Sequence, residues 1–233
     1  MKIFAISDLH LSINTNKPMN IFGPVWHDHF KIISADWLEK VKDDDIVLVA
    51  GDISWGMKLE EAIEDIKEIA KLTGKKIFVR GNHDYWWKSI SAVRKSLPEN
   101  MYALQNDAIK FDNYIICGTR GWTVPEKEGE QSPEDKKIFD REVIRLELSL
   151  KSAESLRTNN EKLICMIHYP PFNSKTEDSE FTKLMEKYKV DAVIYGHLHG
   201  KGGRTIIHLN KNGIDYYLTS CDKVGNHLVT IFE

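Results

Sequence analysis

Short apolar runs alternate with amphipathic segments through the first part of the chain, and this alternation constrains the fold more than any other feature. The runs Lys2–Ser7, Asp45–Ala50 and Lys75–Arg80 are too short for helices and predict strands, the second of them buried on both faces. Between them, Phe30–Val41 and Lys58–Leu72 place apolar residues at helical spacing. Strands that alternate with helices predict parallel βαβ units, so the expected fold class is α/β.

The rest of the chain continues this pattern less regularly. Two further helices are expected at Ser89–Ser96 and Ile138–Leu156, with long polar loops at 12–28 and 119–135. Further strands are expected at Met101–Leu104, Ala108–Phe111, Tyr114–Gly118, Lys162–Ile167, Ala192–Tyr195, Thr205–Leu209, Ile214–Ser220 and Leu228–Phe232. Because no repeat, low-complexity tract or linker interrupts residues 1–233, we expect a single domain.

The composition narrows the class of protein. With 42% hydrophobic residues in 233 positions, the chain can bury a sizeable core. Its net charge of -3 gives no general attraction to nucleic acid or to an anionic membrane, although a local basic patch stays open. No apolar run approaches a membrane span or a secretory leader, and the three cysteines, Cys117, Cys165 and Cys221, include no CxxC. We therefore expect a cytoplasmic protein with buried free thiols, whose oligomeric state the sequence leaves open.

Five short motifs carry side chains that bind divalent cations, and they follow predicted strands. They are Asp8-Leu9-His10, Gly51-Asp52, Gly81-Asn82-His83-Asp84, His168 and Gly196-His197-Leu198-His199. Each alone has an ordinary alternative, which is a strand-end turn for the acid and glycine motifs and a satisfied core histidine for His168. Together, at one edge of a sheet, they favour a single site that holds two cations. Two divalent cations in a cleft indicate hydrolysis of a phosphate ester.

The motifs supply different kinds of donor. Asp8 and His10 lie two residues apart, so in an extended segment both side chains point the same way and reach one metal. Asn82 offers a neutral oxygen, while His83 is expected to stay unligated and act as a general acid whose ring Asp84 orients. Oxygen and nitrogen donors without sulfur leave manganese, iron, nickel and zinc open as the metal.

The five motifs, in this order from residue 8 to residue 199, resemble the calcineurin-like metallophosphoesterase superfamily. The resemblance implies a four-layer α/β/β/α fold, in which a two-sheet β-sandwich is flanked by helices and a binuclear site lies at the strand ends. It implies that Asp52 bridges the metals, that His83 protonates the leaving group and that a metal-bridging hydroxide attacks phosphorus. The other ligands it implies are Asp8, His10 and His199 for one metal and Asn82, His168 and His197 for the second.

One departure separates the chain from the protein Ser/Thr phosphatases of that superfamily. Their second motif continues Gly-Asp-x-x-Asp-Arg-Gly, whereas residues 51–56 here are Gly-Asp-Ile-Ser-Trp-Gly. The missing arginine weighs against a phosphoprotein substrate and favours a small or medium phosphorylated molecule. Arg80 and Arg120 are candidates to bind phosphate instead, with an ordinary salt bridge as the alternative for Arg80.

Several functions stay open within this framework. The substrate can be a phosphate monoester or a diester, and cyclic-nucleotide phosphodiesterases share the motif at residues 81–84. The acidic net charge disfavours a nuclease. A non-catalytic binding scaffold of the same fold is disfavoured because every ligand position is filled. Substrate choice is expected to depend on loops 12–28 and 119–137, and Trp86 and Trp87 are expected to pack in the core rather than stack on a nucleobase.

Overall fold

Eleven strands and five helices occur in the computed structural model, which describes residues 1–127, 129–200 and 205–233. The strands are β1 (Ile3–Ile6), β2 (Ile46–Val49), β3 (Lys75–Phe78), β4 (Met101–Ala103), β5 (Ala108–Phe111), β6 (Tyr114–Thr119), β7 (Lys162–Ile167), β8 (Ala192–Tyr195), β9 (His208–Lys211), β10 (Ile214–Leu218) and β11 (Val229–Phe232). The helices are α1 (His29–Lys40), α2 (Leu59–Ala70), α3 (Ile90–Ser96), α4 (Pro133–Leu156) and α5 (Glu180–Lys187).

The strands form two mixed sheets. In the five-stranded sheet, ordered β11-β1-β2-β3-β4, only β11 is antiparallel to its neighbour among the described strands. In the six-stranded sheet, ordered β5-β6-β7-β8-β10-β9, the outer strands β5 and β9 are antiparallel and the central pairs are parallel. A bridge between Ser7 and Ser220 joins the two sheets just beyond β1 and β10. The carboxyl ends of the central strands of both sheets therefore meet at one edge.

Alternate residues of the buried strands face two different apolar layers. In β1, Phe4 and Ile6 pack with residues of α1 and α2, whereas Ile3 and Ala5 pack between the sheets. Strand β7 follows the same alternation, since one set of its residues packs with α4 and α5 and the other set faces the first sheet. The result is the predicted four-layer α/β/β/α arrangement.

Some predicted elements differ from the observed ones because local capping signals decide their ends. Helix α4 begins at Pro133, five positions before the predicted start, because Ser132 accepts a hydrogen bond from the Asp135 amide and proline suits the first turn. Helix α5 was not predicted, although the Ser179 side chain caps it. The segment predicted as loop 12–28 contains two short 3-10 turns, Met19–Phe22 and Pro24–Trp26. The predicted strand at Thr205–Leu209 is shifted, since β9 spans His208–Lys211.

Two simpler expectations, for the cysteines and for the paired tryptophans, hold in the structure. Cys117, Cys165 and Cys221 are free and buried, and Trp86 and Trp87 lie in the core beside α3. Asp112-Asn113 forms the turn between β5 and β6, and Asn212-Gly213 forms the turn between β9 and β10. Within the described residues, none of the helices combines the length and the apolar character that crossing a membrane requires.

Candidate metal centre

The loops that follow β1, β2, β3, β7 and β8 converge at the shared edge of the two sheets. The Asp8 amide donates to the carbonyl of Gly51 at 3.0 Å, and the His10 amide donates to that of Asp52 at 2.9 Å. Across the sheets, the His197 amide lies 3.1 Å from both carboxylate oxygens of Asp8. Backbone hydrogen bonds therefore fix the relative positions of the motif loops independently of any ligand.

Several motif residues adopt left-handed backbone conformations. The φ angles are 57° for Asp8, 46° for His10, 52° for Asp52 and 70° for His197. The expectation that Asp8 and His10 align because they lie in an extended segment is therefore not met. They reach a common cluster through a sharp turn instead. Each left-handed residue costs about 1 kcal/mol, and such strain concentrates at functional sites.

Two glycines allow the loops to approach each other closely. A Cβ atom on Gly81 would overlap the Asp52 carboxylate. A Cβ on Gly196 would lie 2.6 Å from Oδ2 of Asp8 and closer still to the Ser7 hydroxyl. The motif glycines are thus required by contact with the acidic side chains of neighbouring loops.

The first group of donors contains both strand-end acids. Asp8, His10, Asp52 and His199 each offer a ligand atom within 4.8 Å of the others. Both ring nitrogens of His10 and Oδ2 of Asp52 are buried and have no hydrogen-bond partner among the described residues. Unpartnered buried donors and acceptors are costly, and a cation bound by these lone pairs would remove that cost.

The second group surrounds Oδ1 of Asn82. Nε2 of His168 lies 2.7 Å and Nδ1 of His197 lies 2.9 Å from this oxygen. Nε2 of His168 is also 3.5 Å from Oδ2 of Asp52, and Nε2 of His10 is 3.7 Å from the same oxygen on the other side. The Asp52 carboxylate therefore lies between the two groups, where a bridging ligand would be needed.

Burial sets the protonation of these donors. It lowers the pKa of His10 to about 3 and that of His197 to about 4, so both imidazoles are neutral at physiological pH. Neutral imidazole is the form that binds metal. Burial, followed by the charges of Asp8 and Asp84, raises the pKa of Asp52 to about 9. Crowded carboxylates among neutral imidazoles are suited to cations, so the residues fit two divalent metals.

His83 lies beside the first group without belonging to it. Its amide donates to Oδ1 of Asp52 at 2.8 Å, and its ring centroid is 4.6 Å from that of Trp55 and 5.5 Å from that of His10. Nδ1 of His83 is buried without a hydrogen-bond partner in the described residues. Burial lowers the pKa of this imidazole. The ring is thus placed next to the cluster, with an unpartnered nitrogen.

The expected contact between Asp84 and the His83 ring is not formed. The Asp84 carboxylate accepts hydrogen bonds at 2.8–3.3 Å from the amides of Gly81, Asp52, Ile53 and Ser54, and one at 3.0 Å from the Trp86 indole. Those donors come from two different strand-end loops. Asp84 therefore fixes the loop after β3 against the loop after β2 rather than orienting the His83 ring.

Some contacts were missed by sequence reasoning. The Ser7 hydroxyl donates to Oδ2 of Asp8 at 2.6 Å, and the ring of Tyr169 lies 4.2 Å from that of His197. Nδ1 of His168 lies 2.9 Å from the Ala50 carbonyl, which fixes the ring. In the sequence, the one feature that could have indicated these contacts is position, because Ser7, Ala50 and Tyr169 each adjoin a motif.

A cavity of about 450 Å³ adjoins the second group of donors. Its wall includes His197, His199, Tyr169, Phe172 and Leu198. Residues 123, 124 and 126 also line it, so loop 119–137 contacts this space as expected. Loop 12–28, the other loop expected to influence substrate choice, contributes none of the described lining residues.

The protein thus combines an α/β/β/α fold with a candidate metal site of Asp, Asn and His donors at its strand ends. The sequence model for the calcineurin-like phosphoesterase family matches residues 1–201. The chain belongs to this family.

Individual relatives are distant. A probable cyclic nucleotide phosphodiesterase of Coxiella burnetii is 25% identical over 208 residues, which are 85% of this chain and 76% of that protein. A Thermus thermophilus protein of known structure has a TM-score of 0.62 at 14% identity, with 99% of this chain and 97% of that chain covered. The phosphopantetheinyl hydrolase of Mycobacterium tuberculosis has a TM-score of 0.54 at 13% identity, with 99% and 95% covered. These two structures support the fold alone.

Proposed function

We propose that the protein is a phosphoesterase that uses two divalent cations to hydrolyse phosphate monoesters or diesters of a small or medium molecule. The observation that carries this proposal is the position of Asp52, whose Oδ2 is buried between Nε2 of His10 at 3.7 Å and Nε2 of His168 at 3.5 Å. A carboxylate flanked on both sides by neutral imidazoles is suited to bridge two metals.

The protein's residues have separate roles in this proposal. Bound divalent cations would supply Lewis acidity toward the phosphoryl oxygens and lower the pKa of a bound water. Asp8, His10 and His199 would hold one cation, Asn82, His168 and His197 the other, and Asp52 both. His83 would donate a proton to the leaving oxygen from a ring already positioned beside the cluster.

A cyclic nucleotide is a second candidate substrate. The Coxiella burnetii relative carries the name of a probable cyclic nucleotide phosphodiesterase. The cavity beside His197 has aromatic side chains, Tyr169 and Phe172, on which a nucleobase can pack. Both observations favour a diester in which the organic part occupies this cavity.

The test is a manganese-supplemented panel of an aryl phosphate monoester, an aryl diester, cyclic nucleotides and single-stranded DNA. We expect turnover that EDTA abolishes and that Asp52→Ala reduces to background. Asp44→Ala, an acid exposed in the loop before β2, is the matched control and should retain full turnover. Unchanged turnover in Asp52→Ala would overturn the proposal. Substoichiometric metal after manganese loading would favour a non-catalytic scaffold.

A further inference from the structure

A second, smaller cavity beside the metal centre is surrounded by cationic side chains. Its volume is about 130 Å³, and Arg80, Lys88, Arg120 and Arg145 line it. Glu142 is the only carboxylate among its described lining residues. Four cations around one carboxylate leave an excess of positive charge facing the cavity.

The cavity lies at the same edge of the sheets as the metal donors. Arg80 follows β3, which neighbours the β2 strand that leads to Asp52. Arg120 follows β6, which neighbours the β7 strand that leads to His168, and its carbonyl accepts the His168 amide at 3.0 Å. Neighbouring strands are roughly 5 Å apart, so the cavity lies one strand from the metal centre in each sheet. Its described lining residues all differ from those described for the larger cavity.

Glu142 neutralises only part of this charge. Its fully buried carboxylate accepts from Nη1 of Arg145 at 2.6 Å and from Nη2 of Arg120 at 3.4 Å, and Thr119 donates to it at 3.1 Å. Arg145 and Arg120 thus share one anion. Lys88 is exposed at the rim.

Arg80 has no carboxylate partner within the described part of the chain. The expectation that it forms an ordinary salt bridge is not met among the described residues. The Nε atoms of Arg80 and Arg120 are both buried without a hydrogen-bond acceptor there. Burial, then the charge of Arg120, lowers the pKa of Arg80, and Arg145 adds to this effect while Asp84 and Glu142 oppose it. A half-buried guanidinium with an unpartnered Nε, held beside two other guanidinium groups, would be stabilised by a bound anion.

We propose that this cavity is an oxyanion-binding pocket in which the guanidinium groups of Arg80 and Arg120 bind a phosphate-type anion. A tetrahedral oxyanion is only a few water molecules in size, and its oxygens match the fork geometry of arginine. The anion has two possible sources, which are free inorganic phosphate and a second acidic group on the substrate. Binding of a free anion does not depend on the proposed hydrolysis.

Sulfate is the probe for the pocket, and the manganese-loaded protein is titrated with it in a calorimeter. We expect saturable binding that Arg80→Gln weakens about tenfold or more, since charge-assisted hydrogen bonds are lost. Arg141→Gln removes an exposed arginine of the same helix that carries Arg145 and should bind sulfate like the unaltered protein. Arg80→Lys keeps the charge and should give intermediate affinity for sulfate.

A stability measurement shows whether the variant still folds. Without sulfate, Arg80→Gln should unfold at an equal or higher temperature than the unaltered protein, because the substitution relieves repulsion between the arginine side chains. The proposed anion-binding pocket would be contradicted if the unaltered protein did not bind sulfate, or if Arg80→Gln bound it equally well.

Enzyme kinetics then distinguish the two possible sources of the anion, which are free phosphate and a second acidic group on the substrate. A rise in KM of Arg80→Gln for a nucleoside 3′,5′-bisphosphate, without a change for the nucleoside 5′-monophosphate, would assign the pocket to the substrate's second acidic group. If Arg80→Gln loses sulfate binding while its KM for both substrates is unchanged, the pocket would be assigned to a free anion. If the unaltered protein hydrolyses none of the substrates of the manganese-supplemented panel, the proposed function fails, while the sulfate titration still decides whether the pocket binds an anion.

Discussion

Nε2 of His168 lies 2.7 Å from Oδ1 of Asn82, and this contact brings two acceptors together. The other ring nitrogen of His168 donates to the Ala50 carbonyl, so a neutral imidazole presents its lone pair to the amide oxygen. Acceptors at this distance repel each other unless a cation binds both. The pair therefore fits a cation that both residues would bind.

Asn82→Ala should remove that second cation selectively. The variant loses the oxygen that both His168 and His197 approach, while the group around Asp8 and His10 stays intact. We expect bound manganese to fall by about half in elemental analysis after loading. Asn113→Ala, in the exposed turn before β6, should bind as much metal as the unaltered protein. Equal metal content in the two variants would contradict the assignment.

Asp52→Asn should change stability in opposite directions with and without metal. In metal-free protein, the substitution removes one of several crowded buried carboxylates, so the unfolding temperature should rise by about 2–4 °C, equivalent to ~1 kcal/mol. In metal-loaded protein, loss of the bridging oxygen should lower it. Scanning fluorimetry with EDTA and with manganese measures both arms, and the same sign in both would exclude a bridging role.

His83→Gln should impair turnover without releasing metal. The ring lies outside the group of Asp8, His10, Asp52 and His199 and holds no other side chain by a hydrogen bond among the described residues. Loss of a general acid should reduce kcat about 100-fold or more. Tyr85→Phe, which alters an exposed neighbour of that ring, is the control. A drop in metal content that parallels the drop in kcat would reassign His83 as a ligand.

Gly196→Ala should reduce metal binding through a steric effect. The added methyl group would overlap the Ser7 hydroxyl and approach Oδ2 of Asp8, so the carboxylate has to move. We expect weaker manganese binding with the fold retained in circular dichroism. Gly213→Ala, in the turn before β10, has open space around its new methyl group and should bind metal normally. Normal binding by Gly196→Ala would show that Asp8 needs no fixed position.

Asp36 should make the stability of the fold depend on pH. Burial acts to raise the pKa of Asp36, but hydrogen bonds from Lys40, the Leu228 amide and His227 outweigh it and lower the pKa below 3.8. A depressed folded pKa stabilises the protein above the unfolded value and loses that effect as pH falls through the folded value. Asp36→Asn should therefore cost about 1–3 kcal/mol at neutral pH and less below pH 3.8. Urea unfolding of both proteins across this range gives the difference, and a constant difference would contradict the prediction.

Much of the fold was predictable because its strands carry strong local signals. Strands β1, β2 and β3 are buried along most of their length, so their apolar runs stand out in the sequence. Helix α5 was missed because it is short and follows a polar loop, and its capping box uses Thr182 where a glutamate is the more recognisable residue. The start of α4 was missed because its first turn is polar and only Ser132 and Pro133 mark it.

Motif order identified the residues that converge at the candidate metal centre, but their contacts with one another were not predictable. Left-handed turns at Asp8 and His10 depend on the approach of the loop at residues 51–53, which is distant in sequence. The amide contacts of Asp84 and the unpaired state of Arg80 arise in the same way, from loops that meet only after both sheets form. Local patterns carry no information about such contacts.

The donor groups draw on residues that are far apart along the chain, and the His197 amide contacts Asp8 across 189 positions. A ribosome must therefore release residue 199 before the centre can exist, because neither sheet alone carries a complete donor set. During synthesis, Asp8, His10 and Asp52 would already be made while the imidazoles of His168, His197 and His199 were still missing. If the centre binds cations as proposed, their binding would follow the docking of both sheets.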